Sequence, residues 1–253
     1  LGKKIVFAVF KIPKKKKSNP SRQLFIQNSE ASSFNHKGLR IAYFRWRGSG
    51  EKILLLHGWG SDSGRWKIFV PLLQEAGYDI HAIDAPAHGK SGGKFFTPKE
   101  YAEAISSYID NNKIVILIGH SAGAYTTIYY SSNFTHQLNK LVALAPTFDL
   151  NDVIIGMKEM LKLNDQSISL LKEEFQNVYG APIENFRADV LAKNISTDAL
   201  LIHDEDDDIL PVNGSKILAS TWDTVEYIQT SKLGHGLNNK KLYMRIINFL
   251  KSS

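Results

Sequence analysis

Ser121 stands in Gly119-His120-Ser121-Ala122-Gly123, with a glycine two residues to either side. A serine hydroxyl is a poor nucleophile until a base takes its proton, and the usual base is a histidine oriented by a carboxylate. Two histidines sit in glycine-rich stretches suited to that approach: His57 in His57-Gly58-Trp59-Gly60 and His235 in Leu233-Gly234-His235-Gly236. His235 is read as the base, because a histidine between glycines can reach the hydroxyl without clashing. His57 is read as a brace for its own loop. The carboxylate is sought in Asp204-Glu205-Asp206-Asp207-Asp208, of which one would orient the histidine. A solvated acidic loop is the plainer alternative. A calcium loop is excluded: counted from Asp204, its sixth and twelfth positions would be Ile209 and Ser215, where glycine and glutamate are needed.

These groups need a scaffold that brings them together. Residues 114–118, Ile-Val-Ile-Leu-Ile, are expected to form a strand buried on both faces, and residues 124–130 a helix. The turn between them is tight enough to demand small residues two before and two after the serine, which Gly119 and Gly123 supply. Ser121 then projects at a helix N-terminus, where partial positive charge favours a developing oxyanion. Further strands are expected at 24–26, 39–46, 52–56, 78–83, 140–145, 197–203 and 224–229, and helices at 66–76, 98–110, 212–220 and 239–251. The strands at 24–26 and 39–46 are read as an edge hairpin.

Strand and helix alternate with short connections, so the fold class is α/β: a mostly parallel central sheet with helices on both faces. After Pro146 the alternation stops. Amphipathic helices at 153–163 and 168–179 and a short one at 184–191 follow one another with no strand between. This insertion, about 147–192, reads as a small helical lid. Every candidate group lies at the carboxyl end of a strand, where an open α/β sheet places its site.

At 253 residues and 43% hydrophobic, the chain suits one domain with a sizeable core, residues 24–253. No apolar run approaches the ~20 residues of a membrane-spanning helix. Without cysteine, disulfides and thiolate catalysis are excluded. Residues 1–23 carry eight Lys or Arg and no acid, leaving the rest at −2 of a formal +6. The basic character therefore belongs to this N-terminal segment, and no nucleic-acid binding is expected. Its apolar stretch at 5–10 beside the lysines at 14–17 admits contact with a membrane surface. A packed helix and a solvated loop are the favoured reading, and a cytoplasmic location is expected.

Taken together, His57-Gly58-Trp59-Gly60, Asp84-x-Pro86-x-His88-Gly89-x-Ser91, the Ser121 pentapeptide, Leu201-Ile202-His203-x-Glu205-x-Asp207-x-x-x-Pro211 and Gly234-His235 resemble the successive motifs of the α/β-hydrolase fold superfamily, over about residues 39–251. The resemblance implies that fold and a Ser121, Asp207, His235 triad in that chain order. By position the family's acidic loop puts the acid at Asp207, while Asp204 stands where the family usually has glycine. Asp149 is a further candidate, because some members place the acid after the preceding strand. The N–H groups of Trp59 and Ala122 are the expected oxyanion hole. Trp59, His120, Met157 and Met160 are the expected substrate-binding residues, although Met157, Met160, Leu161 and Phe175 are equally explained as lid packing.

The implied chemistry is cleavage of a small-molecule acyl ester or thioester through an acyl-enzyme, with no metal or organic cofactor. A serine at the elbow argues against relatives that use an aspartate nucleophile. Carbon–carbon, lactone or amide hydrolysis and perhydrolysis on the same site are competing readings. So is a non-catalytic binding protein, against which the intact Ser, Asp and His set speaks.

Overall fold

The structure is a computed structural model that describes residues 12–13 and 19–252, and at 157, 160 and 161 the backbone alone. The apolar stretch at 5–10 and the lysines at 14–17 lie outside the described residues. Strands β1 (Glu30–His36), β2 (Leu39–Trp46), β3 (Lys52–Leu56), β4 (Asp79–Ile83), β5 (Ile116–His120), β6 (Lys140–Leu144), β7 (Asp198–Asp204) and β8 (Val225–Thr230) form one sheet. Their order is β1-β2-β4-β3-β5-β6-β7-β8. β2 pairs antiparallel with β1 and β4, and all other neighbours are parallel. β4, β5 and β6 are buried along their whole length; β5 and β6 run mostly apolar accordingly, while β4 buries Asp79 and His81, with Asp79 paired to Arg45.

Both faces are covered. Leu54, Leu56, Leu117 and Leu141 pack on one face beneath helices that include Pro98–Asn112 and Ala122–Asn133. Ile53, Leu55, Ile118 and Val142 pack on the other beneath Phe69–Glu75 and Lys240–Lys251. From β3 the chain steps to one side to form β4, then crosses back to form β5 on the other. A crevice therefore opens at the carboxyl ends of β3 and β5, the switch point where such sheets bind ligands.

Two expectations need correction. Residues 24–26 are not a strand but part of a helix, Pro20–Gln27, whose Asn19 side chain accepts from the N–H groups of Ser21 and Arg22 and whose first residue is a pre-formed proline. Phe25 of this helix stacks on Trp46 at 4.9 Å. The hairpin partner of β2 is instead the polar segment β1, joined through Lys37 (φ 50°) and Gly38 (φ 81°), the paired positive angles of a two-residue hairpin turn. An edge strand of Glu, Ser and Asn escapes a search for apolar alternation. The expected helix at 66–76 begins as a 3-10 turn, Ser63–Ile68, and the one at 184–191 divides into a 3-10 turn, Ile183–Phe186, and Ala188–Ala192.

Candidate active site

Ser121 follows β5 and precedes helix Ala122–Asn133, at φ 55° and ψ −121°. A non-glycine residue held at positive φ stores strain that the surroundings must impose. Here the Ser121 N–H donates to Leu144 O at 2.8 Å, and its carbonyl accepts from Tyr125 N at 3.0 Å. The flanking glycines are required by space. A Cβ on Gly119 would meet Gly123 O at 2.3 Å, and one on Gly123 would meet Leu56 O at 2.4 Å. Ala122 opens the helix, so its N–H has no intrahelical acceptor.

His235 comes from the loop after β8, three strands from β5 and so about 14 Å across the sheet. Several contacts draw this loop back toward Ser121. His120 Nε2–H donates to His235 O at 2.8 Å, with the two rings 4.8 Å apart. Arg65 Nη2–H donates to Gly236 O at 3.0 Å. From the acidic loop, Asp204 accepts from Leu233 N (3.1 Å), Gly234 N (3.0 Å) and Thr230 Oγ1 (2.7 Å), and Asp206 accepts from Lys232 N at 2.7 Å. Asp204 and Asp206 are therefore ties between two loops. The carboxylate at 204, where glycine was expected from the resemblance, is fully buried. Burial pushes its carboxyl up, but the donors on Thr230, Gly234, Leu233 and Asp206 outweigh this and hold it below the ordinary value.

Asp207 Oδ2 accepts from His235 Nδ1–H at 2.8 Å. The carboxylate is fully buried, and its Oδ1 accepts from the N–H groups of Ile209 and Leu210, both at 2.9 Å. Burial pushes its carboxyl up, but Leu210, His235 and Ile209 more than offset it, so the pKa is lowered. His203, which lies within the acidic-loop motif but has no role assigned from the sequence, donates its Nε2–H between Asp207 Oδ2 (3.0 Å) and Leu210 O (2.9 Å), while its Nδ1 accepts from Ser215 Oγ at 2.6 Å. With Nδ1–H on Asp207, His235 keeps an Nε2 lone pair that has no partner among the described residues.

His57 is occupied elsewhere. Its Nδ1–H donates to Gly58 O at 2.8 Å and its Nε2 accepts from Ala85 N at 2.9 Å. His88 does the same for Gly60, accepting its N–H at 3.0 Å and donating to Pro86 O at 2.9 Å. Burial pushes both rings down to about 4, so both are neutral near pH 7. They hold the stretch 58–60 against the loop after β4. Gly58 lies so close to Ser121 that an added Cβ would meet Ser121 Cβ at 2.9 Å and Oγ at 3.3 Å. Asp149 is also committed, since it caps helix Leu150–Leu161 by accepting from Asn151 N at 2.8 Å.

A cavity of about 770 Å³ is lined by Ser121, His235, His120, Gly58 and Trp59, together with residues of helix Pro20–Gln27. Its described lining residues include none from 147–192. Phe175 faces inward, stacked on Tyr179 at 4.0 Å and edge-on to Phe186 at 5.3 Å. The side chains of Met157 and Met160 lie outside those described. Among the described residues no cluster of His, Asp and Glu is arranged to hold a metal, and no helix is long and apolar enough to cross a membrane.

The model of the alpha/beta hydrolase family matches residues 53–229. A monoacylglycerol lipase of Mycolicibacterium smegmatis is 24% identical over 178 residues, which are 66% of this chain and 60% of that protein. A pimeloyl-[acyl-carrier protein] methyl ester esterase of Edwardsiella ictaluri is 28% identical over 145 residues, 56% of this chain and 53% of that one. The chain thus spans less than two thirds of the curated relatives it matches. Among solved structures, the esterase Pf2001 of Pyrococcus furiosus superposes with a TM-score of 0.72 at 22% identity, covering 95% of this chain and 96% of that one.

Proposed function

The chain belongs to the alpha/beta hydrolase family, and on that premise we propose that it is a serine hydrolase cleaving an acyl ester or thioester through Ser121, His235 and Asp207. The observation that carries this reading is a strained serine sharing a cavity with a histidine whose Nδ1–H is held by a fully buried carboxylate at 2.8 Å. Asp207 fixes the tautomer, leaving Nε2 to take the Ser121 proton as Oγ attacks the acyl carbon. The resulting oxyanion is received by the N–H groups of Ala122 and Trp59, each worth ~3 kcal/mol in the transition state. His235 then passes the proton to the leaving group. Water, deprotonated by the same nitrogen, releases the acid and restores Ser121. Names such as monoacylglycerol lipase and methyl ester esterase among the relatives favour ester bonds over the carbon–carbon and amide alternatives.

Intact mass after fluorophosphonate treatment tests the reading. One adduct is expected on the wild type and none on Ser121→Ala. A wild type that stays unlabelled and turns over no ester or thioester in a chain-length series would overturn it in favour of a binding protein.

A further inference from the structure

We propose that the cavity beside Ser121 receives an anionic group of the substrate, a carboxylate or phosphate oxyanion, on the guanidinium of Arg65. The proposal rests on the serine-hydrolase reading and narrows its substrate class. Arg65 lies in the 3-10 turn Ser63–Ile68, just after Gly58–Gly60, and is only 6% exposed. Nη2 is used on Gly236 O at 3.0 Å, and the guanidinium carbon sits 4.3 Å from the Trp66 ring centroid. Nη1 is buried and has no hydrogen-bond partner. Among the described residues no carboxylate lies within ion-pair distance of it. Yet Arg65 lines the same cavity as Ser121 and His235.

A buried cation without a counter-charge is costly, and core packing alone gives no reason to keep one. A second guanidinium borders the cavity but carries its own counter-charge. Arg22, from helix Pro20–Gln27, lines the cavity too and pairs with Asp62 at 3.7 Å, so of the two guanidiniums Arg65 is the one left without a partner carboxylate among the described residues. Burial pulls Arg65 down to about 10, with the Arg22 charge acting in the same direction, so Arg65 remains protonated at neutral pH. The carboxylates that line the cavity are spent elsewhere, Asp62 on Arg22 and Asp84 on Ser63 and Lys90, so an incoming anion would be the counter-charge that Arg65 lacks. The planar fork of arginine suits the two-oxygen edge of a carboxylate or phosphate better than a neutral alkyl chain.

The test uses the full chain and pairs of esters matched in size. The carboxylate is placed on the acyl half in one pair (4-nitrophenyl hydrogen glutarate against 4-nitrophenyl pentanoate) and on the leaving half in the other (3-carboxyphenyl acetate against 3-methylphenyl acetate). In at least one pair the wild type is expected to favour the anionic member by tenfold or more in kcat/KM. Arg65→Gln should bring that ratio to near one. The ratio cancels any loss common to both esters from releasing Gly236. Independently, millimolar glutarate or inorganic phosphate should slow fluorophosphonate labelling of the wild type and leave Arg65→Gln unaffected, and the stronger protector identifies the oxyanion. Ready labelling of Ser121 with no charge preference in either pair and no protection would overturn the anionic subsite while leaving the hydrolase reading intact. Absence of labelling and turnover would instead count against that reading itself.

Discussion

Two loops converge on Ser121, and opposite chemistry holds them. The His235 loop is held by carboxylates: Asp204, Asp206 and Asp207 accept from Lys232 through His235 in succession. The Gly58–Gly60 loop is held by neutral imidazoles, with His57 and His88 each donating through Nδ1 and accepting through Nε2. The difference follows from distance. Residue 235 must be drawn across three strands, and ionised acceptors make the stronger hydrogen bonds that such a span needs. The Gly58 stretch already emerges beside β5, so neutral pins suffice and add no charge of their own near the proposed oxyanion site.

The carboxylate side should break most severely. Asp207→Asn is expected to lower kcat by about 10³–10⁴-fold without unfolding, because the amide favours the wrong tautomer of His235. Steady-state kinetics beside circular dichroism checks this, and a loss below tenfold would remove Asp207 from the triad. Asp204→Asn replaces one ionised acceptor by an NH₂ facing backbone donors. We expect kcat to fall about tenfold with KM within twofold, the split for a residue that positions His235 and does not touch substrate. An equal rise in KM would point to the cavity wall instead.

The imidazole side is separable by pH. His57 and His88 have folded pKa values of about 4, below the unfolded 6.5, so the unfolded chain binds more protons between those values. Their contribution is present above pH 6.5 and is lost as pH falls toward 4, by roughly 3 kcal/mol for each ring. Asp204 and Asp207 are held below the ordinary carboxylate value, so their contribution survives that window and is lost only below about pH 4. The Tm of the wild type should therefore fall between pH 6.5 and 4, and that of His57→Gln, lower at pH 7, should fall less steeply. A flat wild-type profile would contradict the neutral assignment.

The smallest effect on activity is expected from the helical insertion. Phe175→Ala should cost about 3–5 kcal/mol of stability while changing kcat/KM less than threefold, since Phe175 packs on Tyr179 and Phe186. A large loss of activity with intact stability would return the insertion to the site.

Local rules carry much of this molecule in plain text. A strand that must be buried on both faces has to be apolar, so β3, β5 and β6 announce themselves. A turn with no room for a Cβ has to contain glycine, so Gly119 and Gly123 mark Ser121 in the bare sequence. The polar edge strand β1 and the short helix Pro20–Gln27 were not legible, because neither buries a periodic apolar face and each takes its state from a partner, Phe25 stacking on Trp46 being one instance.

The layered α/β sheet and the small set of residue types able to do acyl chemistry can be read from the chain alone, since both follow from local sterics and spacing. Long-range packing settles which of five adjacent acids meets His235, that His57 is spent on Ala85, and that Pro20–Gln27 contributes to the cavity wall. Those outcomes depend on which long-range donor arrives within about 3 Å of which acceptor. One hydrogen-bond length separates the carboxylate that meets His235 from a brace, and nothing in a run of like-charged residues encodes it.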